Sequence, residues 1–216
     1  MLIKNGLIMN PRTNETLNAD IRVADGIIKE IGTLTAKDNE EVLDINGLII
    51  APGLIDTHIH FRDPGFTYKE DIHTGALASA KGGFTSVICM ANTKPIVDSL
   101  ETLQDILERA KNEKIRIYQA VAVTSGFKGE ELTKMEALAK AGACGFTDDG
   151  IPITDAKICF EAMKKAAEAV GTLEIQLQNS AIFVETNNKL NKTMSEYIEK
   201  VNASATSTEV LNHQIA

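Results

Sequence analysis

The chain has 216 residues, 44% hydrophobic and 24% charged, which is enough apolar material for a sizeable core. Its formal net charge of -8 argues against a nucleic-acid-binding protein, whose surface would be basic. No stretch approaches the roughly 20 apolar residues of a membrane span, and the opening Met1-Leu2-Ile3-Lys4-Asn5-Gly6 is too short in apolar residues for a secretion signal. Three cysteines, Cys89, Cys144 and Cys159, lie far apart in apolar contexts. That usage reads as reduced core thiols of a cytoplasmic protein, not as a structural zinc site.

Residues 1–50 read as short strands joined by turns. Residues 2–8 form one strand, and residues 20–24 and 27–31 flank Asp25-Gly26, a two-residue hairpin signal. Residues 42–45 lead through Asn46-Gly47 into the apolar run 48–55, which reads as a buried strand.

That run ends in Asp56-Thr57-His58-Ile59-His60-Phe61-Arg62. On an extended chain, the side chains of His58 and His60 point to one side. Two imidazoles on one side of a strand end make a divalent-metal site. The bland reading is two polar histidines in a loop; the apolar run before them and the arginine after them favour the metal. Arg62 continues the same parity, and a fixed guanidinium beside a metal suits a substrate bearing a carboxylate.

From residue 54 the pattern becomes strand, loop, helix. Residues 74–81 have helical composition and stop at Gly82-Gly83. That glycine pair follows a helix and precedes no Lys-Ser/Thr, so it is not a phosphate loop. Residues 85–90 form a strand, and 99–112 a helix capped by Ser99. Residues 115–123 form a third strand, 131–141 a helix stopped by Gly142, 143–147 a fourth strand, and 155–170 a helix capped by Thr154 or Asp155. Such alternation predicts a parallel sheet of about four βα units. His73 reads as surface or core filler, and His213, in a polar tail, is not assigned to a metal.

None of the 15 glycines and 5 prolines lies beyond Gly171, although loops need both. Asn, Ser and Thr accumulate there instead. Residues 175–185 can make a strand and 192–201 a short helix. The shift predicts that the native reading frame ends near Gly171 and that residues 172–216 come from a frameshift or similar artefact. A divergent C-terminal cap is the neutral reading.

Four blocks carry a family resemblance. They are Pro52-Gly53-Leu54-Ile55-Asp56-Thr57-His58-Ile59-His60-Phe61-Arg62-Asp63-Pro64-Gly65; Tyr68-Lys69-Glu70-Asp71 and Thr74-Gly75 before Ala80-Lys81-Gly82-Gly83-Phe84-Thr85; Met90-Ala91-Asn92-Thr93-Lys94-Pro95; and Gly145-Phe146-Thr147-Asp148-Asp149-Gly150. In this order they resemble class I dihydroorotases of the amidohydrolase superfamily, over residues 1–171. Ala91 stands where the family more often has proline.

The resemblance implies an α/β fold, a partial TIM-type (β/α)₈ metal-dependent hydrolase barrel preceded by a small β-sandwich-like N-terminal region. The expected division is 1–50 for part of a composite β domain, 51–171 for the first half of the barrel, and 172–216 for the tail. It implies one or two zinc ions on His58, His60 and Asp149, with Arg62 and Asn92 on the substrate carboxylate. The bland reading of Asp149 is turn chemistry, and Asp148 is left a turn or supporting role. The implied reaction is reversible cyclisation of N-carbamoyl-L-aspartate to L-dihydroorotate in pyrimidine synthesis. A complete barrel takes about 250 residues. The family's two further histidines and its proton-transferring aspartate cannot be placed here, so little or no activity is expected of this chain alone. The alternatives are another cyclic amidohydrolase, allantoinase- or dihydropyrimidinase-like, and a non-catalytic partner of a pyrimidine-pathway enzyme. The expected partners are a small-molecule substrate and either further copies of the chain or such an enzyme.

Overall fold

The computed structural model of the protein describes residues 1–177. The chain divides into two units, Met1–Leu54 and the residues from Ile55 onward.

In the first unit, β1 (Leu2–Asn10) pairs antiparallel with β2 (Glu15–Ala24), and β2 pairs antiparallel with β3 (Ile27–Gly32). Asp25 and Gly26 join β2 to β3 with φ of 54° and 70°. Both lie in the left-handed region that a tight hairpin turn demands, which is why Asp-Gly stands there. β4 (Val42–Asp44) and β5 (Ile49–Ile50) pair parallel with successive parts of β1, giving the order β3-β2-β1-β4 with β5 beside β1. Leu2 and Ile21 are buried. Beside them Asp20 accepts the Asn5 and Leu34 N–H groups, each at 2.9 Å, which holds its carboxyl below the usual carboxylate range.

In the second unit, strands and helices alternate. They are β6 (Leu54–Ile59), α1 (Ile72–Lys81), β7 (Phe84–Cys89), α2 (Leu100–Ala110), β8 (Arg116–Val121), α3 (Met135–Lys140), β9 (Gly145–Phe146) and α4 (Ala156–Leu177). The sheet order is β6-β7-β8-β9, with β7–β8 and β8–β9 parallel. Consecutive parallel strands joined by helices are the beginning of a barrel wall.

Local chemistry fixes the helix ends. Asp71 caps α1 by accepting the Thr74 N–H at 2.7 Å, while Thr74 Oγ1 accepts the Asp71 N–H at 3.2 Å. Ser99 caps α2 through the Thr102 N–H at 3.3 Å. Leu103, Ile106 and Ala110 then form the buried stripe of α2, against a core that includes Ala76, Val87, Val97 and Val121. Removing the fully buried Leu103 side chain would cost about 2–5 kcal/mol.

Several expectations need correction. The run 48–55 is not one buried strand. Pro52-Gly53 interrupts it, β5 and β6 belong to different sheets, and Leu48, Ile49, Leu54 and Ile55 are all exposed. Proline lacks the N–H that would continue the ladder, and β6 is the sheet edge, with no neighbour on its outer side among the described residues. The third helix begins only at Met135. Residues 131–133 instead bond to the end of β8's connection, Ser125 N–H to Glu131 O at 2.8 Å and Thr133 N–H to Val123 O at 2.9 Å. Asp155 caps α4, its Oδ1 accepting from Lys157 and Ile158 N–H. α4 passes Gly171 without a break and reaches Leu177, so residues 175–177 are helical and not the start of a strand. The remainder of that expected strand and the expected helix at 192–201 lie outside the described residues.

Candidate metal centre

Three strand ends bring the site together. His58 lies in β6 and His60 one residue past it; Asn92 follows β7; Asp148 and Asp149 follow β9. Backbone bonds between neighbouring strands hold these ends level. The Met90 N–H donates to Ile59 O at 2.9 Å, and the Thr147 N–H to Val121 O at 2.8 Å.

His58 and His60 do face one side, with ring centroids 5.2 Å apart in an edge arrangement. The parity does not extend to Arg62. Its φ of 61° is left-handed, so the chain turns there instead of continuing extended. Phe61, between the two, is buried against α1, where a Cβ on Gly75 would stand only 2.4 Å from its ring. The glycine is what allows the ring to seat, and the seated ring pins the chain next to His60. Among the described residues the Arg62 guanidinium has no ion-pair partner.

His58 Nε2 stands 3.4 Å from Asp149 Oδ1, and His60 Nε2 stands 3.5 Å from Asp149 Oδ2. The ligand atoms of all three residues lie within 4.8 Å of one another. Charge-assisted N–H to carboxylate bonds are shorter, about 2.7–2.9 Å. Donors on a tetrahedron around an ion at about 2.0–2.1 Å stand about 3.3–3.4 Å apart. Each histidine stands near that spacing from the carboxylate, though through different oxygens, and all the ligand atoms lie within 4.8 Å, so the three groups are placed to share an ion. Two imidazole nitrogens and a carboxylate are also a donor set suited to a borderline divalent cation. No other group of this kind occurs among the described residues.

Asp148 does different work from its neighbour. It is buried and accepts the Val123 N–H at 2.7 Å, the Thr124 N–H at 3.1 Å and the Thr124 hydroxyl at 2.5 Å. This clamp ties the end of β9 to the loop after β8 and so directs Asp149 towards the histidines. Asn92 makes contacts that sequence reasoning missed: its Oδ1 lies 2.8 Å from His60 Nδ1 and its Nδ2 donates to Asp149 Oδ2 at 3.1 Å. Asp63 was missed too. It is buried beneath the Arg62 turn and bonded to Arg109 of α2. No local pattern announces an ion pair spanning 46 residues. The Asp148-Asp149 doublet was the available hint that one of two adjacent carboxylates is structural. His73 sits at the surface against Glu113 at 3.2 Å, and His213 lies outside the described residues.

Residues 47–185 match the model of a family described as dihydro-orotase-like. The chain belongs to that family. The dihydro-orotase-like match runs past Gly171, further than the motifs alone reach. A relative named dihydroorotase from Clostridioides difficile is 52% identical over 169 residues, covering 78% of this chain and 40% of its own length. A second, from Streptococcus pneumoniae, is 49% identical over 166 residues, covering 77% of this chain and 39% of its own length. The chain thus spans about two fifths of the length of these relatives. Among solved structures, the L-hydantoinase (dihydropyrimidinase) of Arthrobacter aurescens aligns with a TM-score of 0.62 at 20% identity, over 83% of this chain and 44% of its own. That likeness is one of fold, and the dihydro-orotase-like chain shares with it an alternation of strands and helices around a largely parallel sheet.

Proposed function

We propose that this chain carries part of the metal centre and the carboxylate-binding side of a zinc-dependent dihydroorotase, which interconverts N-carbamoyl-L-aspartate and L-dihydroorotate. The observation that carries the reading is the convergence of His58, His60 and Asp149 from separate strand ends, in a chain about half identical to proteins named dihydroorotase. His58, His60 and Asp149 hold the ion. Zinc suits a nitrogen-rich set of this kind. When bound, the ion supplies Lewis acidity, polarising a carbonyl and lowering the pKa of water.

Arg62 binds the substrate carboxylate through parallel guanidinium donors, and Asn92 adds an amide N–H. That pair favours dihydroorotate, an acid, over neutral cyclic amides such as allantoin. The metal group contains no carboxylate besides Asp149 among the described residues, and Asp149 is occupied as a ligand. A separate group must move the proton to and from the reacting nitrogen. We therefore expect the 216-residue chain to bind zinc and carry little turnover by itself. Its three free cysteines support a reducing, cytoplasmic setting. Among the described residues no helix is long and apolar enough to cross a membrane.

Zinc titration of the purified, metal-stripped chain tests the reading. Tight binding is expected, lost in His58→Ala and Asp149→Ala and kept in His73→Ala. Unchanged zinc binding in His58→Ala would overturn the ligand assignment. With zinc present, N-carbamoyl-L-aspartate is expected to bind and hydantoin and allantoin are not; equal binding of all three would overturn the substrate assignment. A chain that binds no zinc and co-purifies with another enzyme would point to the non-catalytic partner.

A further inference from the structure

We infer that Asn92 is a positioning residue of the metal centre, whose side-chain amide fixes the tautomer of His60 and steadies Asp149. This rests on the metal-binding reading above and deepens it.

The geometry closes a ring of three side chains. Asn92 Oδ1 lies 2.8 Å from His60 Nδ1, Asn92 Nδ2 lies 3.1 Å from Asp149 Oδ2, and that same oxygen lies 3.5 Å from His60 Nε2. Chemistry decides which way the amide faces. An amide oxygen only accepts, so His60 Nδ1 must carry a proton, and in the neutral imidazole that leaves the Nε2 lone pair free for an ion. The opposite orientation would require Nε2–H, blocking that lone pair, and would press the amide oxygen against a carboxylate oxygen. The observed orientation satisfies both neighbours of the amide and the ligand role of His60; the flipped one could still donate to His60 Nδ1 but would lose the bond to Asp149 and the free Nε2 lone pair.

The segment holding Asn92 is fixed on both sides. Ala91 and Thr93 are buried. The Thr93 hydroxyl donates to Pro95 O at 2.7 Å, and the Lys94 N–H donates to Pro64 O at 3.0 Å, in the loop that follows His60. A Cβ on Gly65 would fall 1.9 Å from Lys94 O, so the two loops approach as closely as glycine permits. The amide is thus presented by a locked backbone. Groups that orient a ligating histidine through its other nitrogen commonly contribute 10–100-fold to metal affinity. Asn92 Nδ2 keeps a second hydrogen for a substrate carboxylate, so bridging and substrate contact are compatible.

The test uses the full 216-residue chain. Zinc affinity is measured by competition with a chromophoric chelator, and the tautomer of His60 by long-range ¹H–¹⁵N correlation on the metal-free protein. In the wild type, His60 is expected as Nδ1–H. Asn92→Leu should bind zinc about 10–100-fold more weakly and lose the Nδ1–H preference. Asn92→Asp keeps an acceptor for Nδ1–H and should retain the tautomer while losing the donor to Asp149. Unchanged tautomer and zinc affinity in Asn92→Leu would overturn the inference. Should that variant not fold, loss of the Nδ1–H form in Asn92→Asp would overturn it equally. Because the tautomer is read without metal, it separates this inference from the metal reading, which the His58→Ala titration decides independently.

Discussion

Arg109 Nη1 donates to Asp63 Oδ2 at 2.7 Å, and the same oxygen accepts the Ile72 N–H at 3.3 Å. One buried carboxylate thereby joins helix α2, the start of α1 and the loop that bears Arg62. The Asp63 side chain is 7% exposed and that of Arg109 38%. The bond to Asp63 also holds the Arg109 guanidinium above its ordinary pKa. Removing the arginine leaves a buried acceptor short of a charged donor, whereas removing a surface partner would matter little. Arg109→Leu is expected to lose about 1–3 kcal/mol of stability. Arg109→Lys should recover only part, because an ammonium cannot reach Asp63 and Asp105 with the same fork. Urea unfolding of the three proteins measures this, and equal midpoints would contradict it.

Gly75 tests the seating of Phe61. In the interior of an exposed helix, glycine to alanine stabilises by about 1 kcal/mol. Here the new methyl would lie 2.4 Å from the Phe61 ring, and overpacking costs about 1–3 kcal/mol. Gly75→Ala should therefore destabilise the chain. It should also weaken zinc binding, since the displaced ring adjoins His60. Adding Phe61→Leu should relieve part of the loss. A Gly75→Ala protein that melts above the wild type would show that the ring has room to move.

Asp148 is the staple of the site's third strand end. Asp148→Ala strips the acceptor from two buried N–H groups, those of Val123 and Thr124, at about 1–3 kcal/mol for each group left unsatisfied. Asp148→Asn keeps one acceptor oxygen and should be milder. Thermal unfolding ranks the variants: wild type, Asn, then Ala. If alanine proves as stable as asparagine, water replaces the carboxylate and the clamp is not structural.

The residues that the sequence made legible are those with short-range signatures. Asp25-Gly26 demanded a tight turn, Ser99 a helix start, and His58 with His60 a shared side. Period-two and period-3.6 patterns read such features directly. Asp149 became a metal candidate only through the family resemblance, because Asp-Asp-Gly by itself is ordinary turn chemistry. What escaped depends on contacts between distant segments: the clamp of Asp148 on Val123 and Thr124, the Asn92 bridge and the Asp63–Arg109 pair. The run 48–55 misled for a related reason. Its apolar residues predicted burial, yet which surface a strand buries is set by neighbours that periodicity does not specify. Arg62 misled because parity holds only while the backbone stays extended.

The first unit offers a prediction in pH. Arg22 grips Glu40 with two donors, Nε to Oε1 at 2.8 Å and Nη2 to Oε2 at 3.1 Å. That grip, with the Lys37 N–H behind it, pulls the Glu40 carboxyl from the ordinary 4.5 down to about 2. A carboxyl whose pKa is depressed by folding contributes stability that is fully present above its unfolded value. The contribution is lost as pH falls through the folded value. For Glu40 the window therefore runs from 4.5 down to about 2. Glu40→Gln removes the titrating group but keeps an acceptor for Arg22. Asp20, also depressed, titrates in both proteins and so cancels from their difference. The wild type should melt above Glu40→Gln near neutral pH, and the gap should narrow as pH falls through that window. Thermal unfolding at half-unit pH steps reads the gap. A gap that stays constant down to pH 2 would mean that the Arg22–Glu40 pair does not set the acid stability of this unit.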